Sequence, residues 1–140
     1  MKFVRYIIAV LVIFPFLDLA YGDEVRASSG SINTSVSATD QESFICASGS
    51  ARPYFLSAMP QLFASRLAEH GLLQSENSGV YRIALVIDES ARLIGYDVGD
   101  NTNESSRVVQ EIISIDQFPK LHDSAKCVAG KVFLYEITLE

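Results

Sequence analysis

Apolar positions are densest in Tyr81-Arg82-Ile83-Ala84-Leu85-Val86-Ile87 and again in Leu93-Ile94-Gly95-Tyr96-Asp97-Val98. Between them stand Asp88-Glu89-Ser90-Ala91-Arg92, short and mostly polar. Two strand-like runs joined this way predict a β-hairpin. In the first strand Tyr81, Ile83, Leu85 and Ile87 share one face, and Val80, Arg82, Ala84 and Val86 share the other. The first face is fully apolar and should pack on helices; the second is mixed and should be partly wet. In the second strand Ile94, Tyr96 and Val98 form one face, with Leu93, Gly95 and Asp97 on the other.

A different period flanks the hairpin. Phe55, Met59, Leu62, Phe63 and Leu67 recur at steps of three and four, which predicts a helix over residues 53–70 with Gly71 as its left-handed C-cap. Pro60 interrupts it. Either the helix is disturbed there or its main part starts near Ser57, and one helix with a disturbance at Pro60 is the preferred reading. Val108, Val109, Ile112, Ile113 and Ile115 predict a second helix over residues 105–115, capped by Ser105 or Thr102 and ended by Phe118-Pro119. Phe133, Tyr135, Ile137 and Leu139 alternate with Val132, Leu134, Glu136 and Thr138, a closing strand with one apolar face. The resulting order α-β-β-α-β predicts an α+β fold: two helices on one face of a three-stranded antiparallel sheet. Such a sheet keeps two edges, one of them within reach of a partner strand.

The start of the chain follows neither period. Lys2 and Arg5 precede an apolar run from Tyr6 to Leu17, and Ala20-Tyr21-Gly22 offers small residues at a cleavage position. This is the pattern of a secretory signal peptide, residues 1–22, cleaved after Gly22. The alternative is an uncleaved anchor, but twelve apolar residues rise only about 18 Å as a helix against a hydrocarbon core of about 30 Å. Residues 23–43 are rich in Ser, Thr, Ala and Gly and predict a flexible leader. Phe44 to Cys46 then reads as an apolar clasp opening a single domain over residues 44–140.

Composition changes the picture at three points. An apolar fraction of 49% and a charged fraction of 20% in 140 residues fit one globular domain. A net charge of −6, with basic residues scattered, disfavours nucleic acid as a partner. Export gives Cys46 and Cys127, the only two cysteines, an oxidising compartment, and a disulfide between them is the simplest reading. Two buried thiols or an intermolecular bridge are the alternatives. A loop of about 80 residues closed in this way is worth about 4 kcal/mol in a chain-entropy account.

The order of elements, with these joints, resembles the C-terminal domain of the TonB and TolA proteins of the Gram-negative envelope. Tyr54, Leu62 and Leu67 are similar to its first helix, and Tyr81 to Asp88 with Arg92-Leu93-Ile94 to its first hairpin. Ser105-Ser106 with Val108, Val109 and Ile112 resembles its second helix, Phe118-Pro119 that helix's end, and Val132 to Leu139 its closing strand. The resemblance covers residues 52–140. It departs where Ala91 stands near the usual turn glycine and where the Ser-Gly pair after the second strand is missing. A leader of this length is also too short to cross a periplasm, so energy transduction from the inner membrane is not carried over. The resemblance implies a protein-binding fold that often works through a sheet edge, here Leu93, Ile94, Tyr96 and Val98.

Candidate chemistry is sparse. His122 beside Asp123 could orient a general base, but no nucleophile or oxyanion site accompanies the pair. Asp97, Asp100 and Glu104 form an acidic stretch whose spacing fails the calcium-loop pattern. The chain thus reads as a non-enzymatic exported periplasmic protein without cofactor or metal. Its expected role is to bind envelope proteins by strand addition, as an adaptor or as a component of a transport or secretion assembly. The alternative is a secreted inhibitor or immunity-type protein that blocks an enzyme with a loop such as Gly99 to Ser106.

Overall fold

A computed structural model of the chain describes residues 25–29, 32–100 and 102–140. The signal segment read at residues 1–22 lies outside them. Among the described residues five strands form one antiparallel sheet, where the pattern predicts three: β1 (Val25–Ser29), β2 (Ile32–Ala38), β3 (Gly79–Ile87), β4 (Leu93–Val98) and β5 (Phe133–Leu139). Their spatial order is β1-β2-β5-β3-β4. Three α-helices among the described residues accompany them: α1 (Gln41–Ser48), α2 (Met59–Glu69) and α3 (Arg107–Ile113). From α2 onward the order is α-β-β-α-β, as the hydrophobic pattern predicts; β1, β2 and α1 come before it.

Those added elements correct two expectations. Residues 25–29 and 32–38 are strands, where the composition predicts a flexible leader. The ordered fold therefore begins well before residue 44, and Phe44 to Cys46 lie inside α1. The physical reason is that β2 is held mainly by its main chain. It pairs with β5 along seven residues, from Ile32 opposite Leu139 to Ala38 opposite Phe133. A strand with one buried face needs an apolar residue only at alternate positions. Ile32 and Val36 supply them, 1% and 2% exposed, with Thr34 buried between them.

The helices cover one face. Phe55 lies with its ring centroid 4.8 Å from that of Phe133 on β5, and Phe63 of α2 meets Tyr135 edge-on at 5.6 Å. Pro60 disturbs the helix as expected. It lacks an N–H, and the chain before it widens into a π-helical turn, Tyr54–Ala58, in which the Met59 N–H reaches back five residues to the Tyr54 carbonyl. The Tyr54 hydroxyl donates to the Pro119 carbonyl at 2.9 Å, tying this turn to the segment after α3. Burial pushes the Tyr54 hydroxyl well above the usual tyrosine range. It does the same to Tyr135, where the nearby Tyr54 adds to the effect. Gly71 caps α2 at φ 66°, with the Leu72 N–H donating to the Leu67 carbonyl.

The cap of α3 is Ser106, not Ser105 or Thr102. Its Oγ accepts from the Val109 N–H at 3.2 Å. The other two candidates are engaged elsewhere: the Ser105 N–H donates to Asn103 Oδ1, and Thr102 Oγ1 accepts from the Arg82 N–H. Val108, Val109 and Ile112 face the core.

Cys46 and Cys127 form the expected disulfide, with Cα atoms 5.9 Å apart and a sequence separation of 81. It joins α1 to the 3₁₀ segment Asp123–Val128, and Lys131 Nζ stands 3.4 Å from Glu42 Oε1. On the sheet's other face, Ala84, Val86 and Val132 form a second small apolar cluster with Leu134. The middle of that face is therefore buried where the sequence predicts it partly wet. Its wet part is the end around Val80, 40% exposed, and the Arg82–Glu136 ion pair. Among the described residues no helix is long and apolar enough to cross a membrane.

Candidate protein-binding edge

The four residues read as a docking strand, Leu93, Ile94, Tyr96 and Val98, all lie on β4. This strand is the last of the sheet, hydrogen-bonded to β3 and to no other described strand. A long, flat edge invites pairing with other chains, and native sheets blunt such edges with bulges, charges and short strands. β4 carries several of these devices.

The first is a bulge. Val86 lies opposite Gly95 and Ile87 opposite Leu93, so Ile94 is an extra residue across the pair. This corrects the faces read from simple alternation. Leu93 joins Tyr96 and Val98 on the helix side and packs against the core, while Ile94 projects, 52% exposed. A slip of one residue moves every side chain beyond it to the other face.

The second device is Asp97. It stands opposite Ala84 and is 7% exposed. The Val98 N–H donates to its Oδ1 at 2.8 Å. Aspartate is depleted in strands, and that depletion is the sequence signal that singles it out from the loop carboxylates Asp100 and Glu104.

Both ends of β4 are anchored. At the turn, Asp88 Oδ1 accepts from the N–H groups of Ser90 and Arg92, and Ala91 takes φ 60° where the resemblance leads one to expect glycine. The Phe118 N–H donates to the Ala91 carbonyl at 2.9 Å, and Gln117 Nε2 to that of Ser90. At the far end the Gly99 N–H donates to the Arg82 carbonyl at 2.9 Å. A Cβ at residue 99 would stand 2.9 Å from that of Arg82, so glycine lets the strand pass the arginine stem. Arg82 Nε turns toward β5 and meets Glu136 Oε2 at 2.9 Å.

The remaining candidates are dispersed. His122 precedes the 3₁₀ segment and its carbonyl accepts from the Ala125 N–H, while exposed Asp123 pairs with Lys126 Nζ at 3.2 Å. His70 Nε2 and Arg66 Nε lie 3.3 and 3.2 Å from Glu111 Oε2, a polar link between α2 and α3. Among the described residues no three His, Cys, Asp or Glu side chains converge as a metal site would need. No family model matches the chain, and neither a curated protein nor a solved structure matches it.

Proposed function

We propose that this chain is an exported, non-enzymatic protein-interaction domain of TonB/TolA C-terminal type. It works in the periplasm, after cleavage at Gly22, as an envelope adaptor or as a component of a transport or secretion assembly. The observation that carries the reading is the place of β4 at the end of the sheet, where its only strand neighbour among those described is β3. Such an edge gives affinity through its main chain and specificity through alternate side chains. Leu93, Ile94, Tyr96 and Val98 form the contact row. The Cys46–Cys127 bridge supports an oxidising compartment. The α-β-β-α-β order from α2 to β5 supports the family type.

The test is capture from envelope extract by the immobilised chain, with Tyr96→Pro beside it. The Tyr96 N–H points away from β3, and proline there removes an outward donor that an added strand would use. The expected result is a set of proteins retained by the wild type and lost from the variant, with both chains unfolding at similar urea concentrations. Retention of the same proteins by both would overturn the reading.

A further inference from the structure

A hollow of about 400 Å³ opens where the β3–β4 turn meets the chain that leads into β5, lined by Glu89, Leu121, Lys126 and Ala129. Small-ligand pockets run from about 300 to 1,000 Å³. The apolar part of the lining is continuous with the core: Leu121 is buried in it, and Ala129 packs against it. The two charges are of opposite sign and stand on different segments, Glu89 in the turn and Lys126 in the 3₁₀ segment Asp123–Val128.

Both segments are held in place. In the turn the Asp88 N–H donates to the Arg92 carbonyl and the Ala91 N–H to the Asp88 carbonyl, each at 2.9 Å. Glu89 is thus carried on a closed loop. The 3₁₀ segment is fixed at Cys127, the neighbour of Lys126, by the bridge to Cys46. The Gly130 N–H donates to the Ile87 carbonyl at 2.8 Å, which holds the residue after Ala129 to the end of β3. Walls ordered beforehand spare a ligand the cost of ordering them. Their charges are within a ligand's reach. Glu89 is exposed, and Lys126 Nζ is paired with Asp123 at 3.2 Å, both side chains facing water. A pair so exposed holds weakly, and a ligand carboxylate can take the place of Asp123.

We propose that this hollow binds a short peptide with free termini and an apolar side chain between them. The amino terminus meets the Glu89 carboxylate, the carboxyl terminus meets Lys126 Nζ, and the apolar side chain lies on Leu121 and Ala129. A ligand that is only an anion would be repelled by Glu89 and Asp123, and one that is only a cation by Lys126. A ligand carrying both charges pairs with both segments. In a free amino acid the two charges share one carbon; a hollow of this size, with its own charges on separate segments, suits the wider spacing of a peptide's two ends. The ligand is a small molecule and not an added strand, so the site stands apart from the reading of β4 as a docking edge.

The experiment titrates the peptide Ala-Leu-Ala, its N-acetylated form, its C-terminal amide and Ala-Ser-Ala against the full chain, Glu89→Gln and Lys126→Gln, with affinity read by calorimetry. Both substitutions fall on exposed side chains, so all three proteins should fold alike. The wild type is expected to bind Ala-Leu-Ala about fivefold or more tighter than each of the other three peptides. Glu89→Gln is expected to bind the free and the acetylated peptide about equally while still preferring the free carboxylate to the amide. Lys126→Gln is expected to show the reverse. Failure of the wild type to bind Ala-Leu-Ala, equal affinities for its free and blocked forms, or unchanged preferences in the two variants would overturn the site. Those outcomes leave the β4 edge untouched, which Tyr96→Pro tests separately.

Discussion

The two flanks of the β5–β3 pair are secured by different means. On the β2 side the sheet is fixed by seven paired residues, by a helix layer and by a covalent bond. Cys46 ties α1 to the segment that leads into β5, and Phe55 and Phe63 press on the rings of Phe133 and Tyr135. On the β4 side Leu93, Tyr96 and Val98 are only partly buried against the core, and polar groups of short reach add to them: Asp88 in the turn, Asp97 on the Val98 N–H, Gly99 beside Arg82. Apolar burial and a cross-link hold one flank and do not discriminate among partners. Hydrogen bonds at the other contribute less to stability.

The comparison can be broken most severely from the helix layer. Phe55 is 1% exposed and lies between Tyr54, Phe133 and Tyr135. Phe55→Ala should lower stability by about 3–5 kcal/mol, seen as a large fall in the urea midpoint. Replacing both cysteines by serine should lose about 2–4 kcal/mol, and adding a reductant to the wild type should lower its melting temperature in step. An unchanged melt after verified reduction would remove the cross-link from the account.

Alkali should act on the same flank. Burial raises the Tyr54 and Tyr135 hydroxyls, so both stay protonated in the folded chain where an unfolded tyrosine, with its ordinary value near 10, ionises. The folded state then holds more protons, and this contribution to stability is full below about pH 10 and falls as pH rises beyond it. Thermal melts at stepped pH measure this, and Tyr54→Phe should reduce the slope. At the opposite flank Ile94→Lys should change stability by no more than about 0.5 kcal/mol, because the side chain is half exposed at a bulge. A larger loss there would mean that the bulge supports the fold as well as blunting the edge.

Much of this is legible in the residues and some is not, for definite reasons. The hairpin, α2 with its break near Pro60, α3 and β5 announce themselves because each buries a regular apolar face. The pairing of Cys46 with Cys127 follows from there being two cysteines in a chain read as exported. β2 is hidden because polar residues such as Asn33 and Ser35 serve a main-chain ladder as well as apolar ones do. What matters there is Ile32 and Val36, two repeats of the pleat apart in a stretch whose composition resembles a linker. The bulge is hidden because Leu93-Ile94 is equally apolar in either register, and only the opposing positions on β3 reveal which residue is extra. The candidate edge is legible as a strand, whereas its place at the end of the sheet depends on which neighbours β5 chooses.

β5 sits between β2 and β3, so the strand at the middle of the sheet is the last of the described strands to be synthesised. Its partners on β2 lie far back in the chain, Ile32 against Leu139 at the extreme. Pairing so distant in sequence is slow to form, and until β5 arrives both β2 and β3 offer uncovered ladders. A ribosome still holding residues 133–139 therefore keeps the β1–β2 and β3–β4 pairs from joining into one sheet.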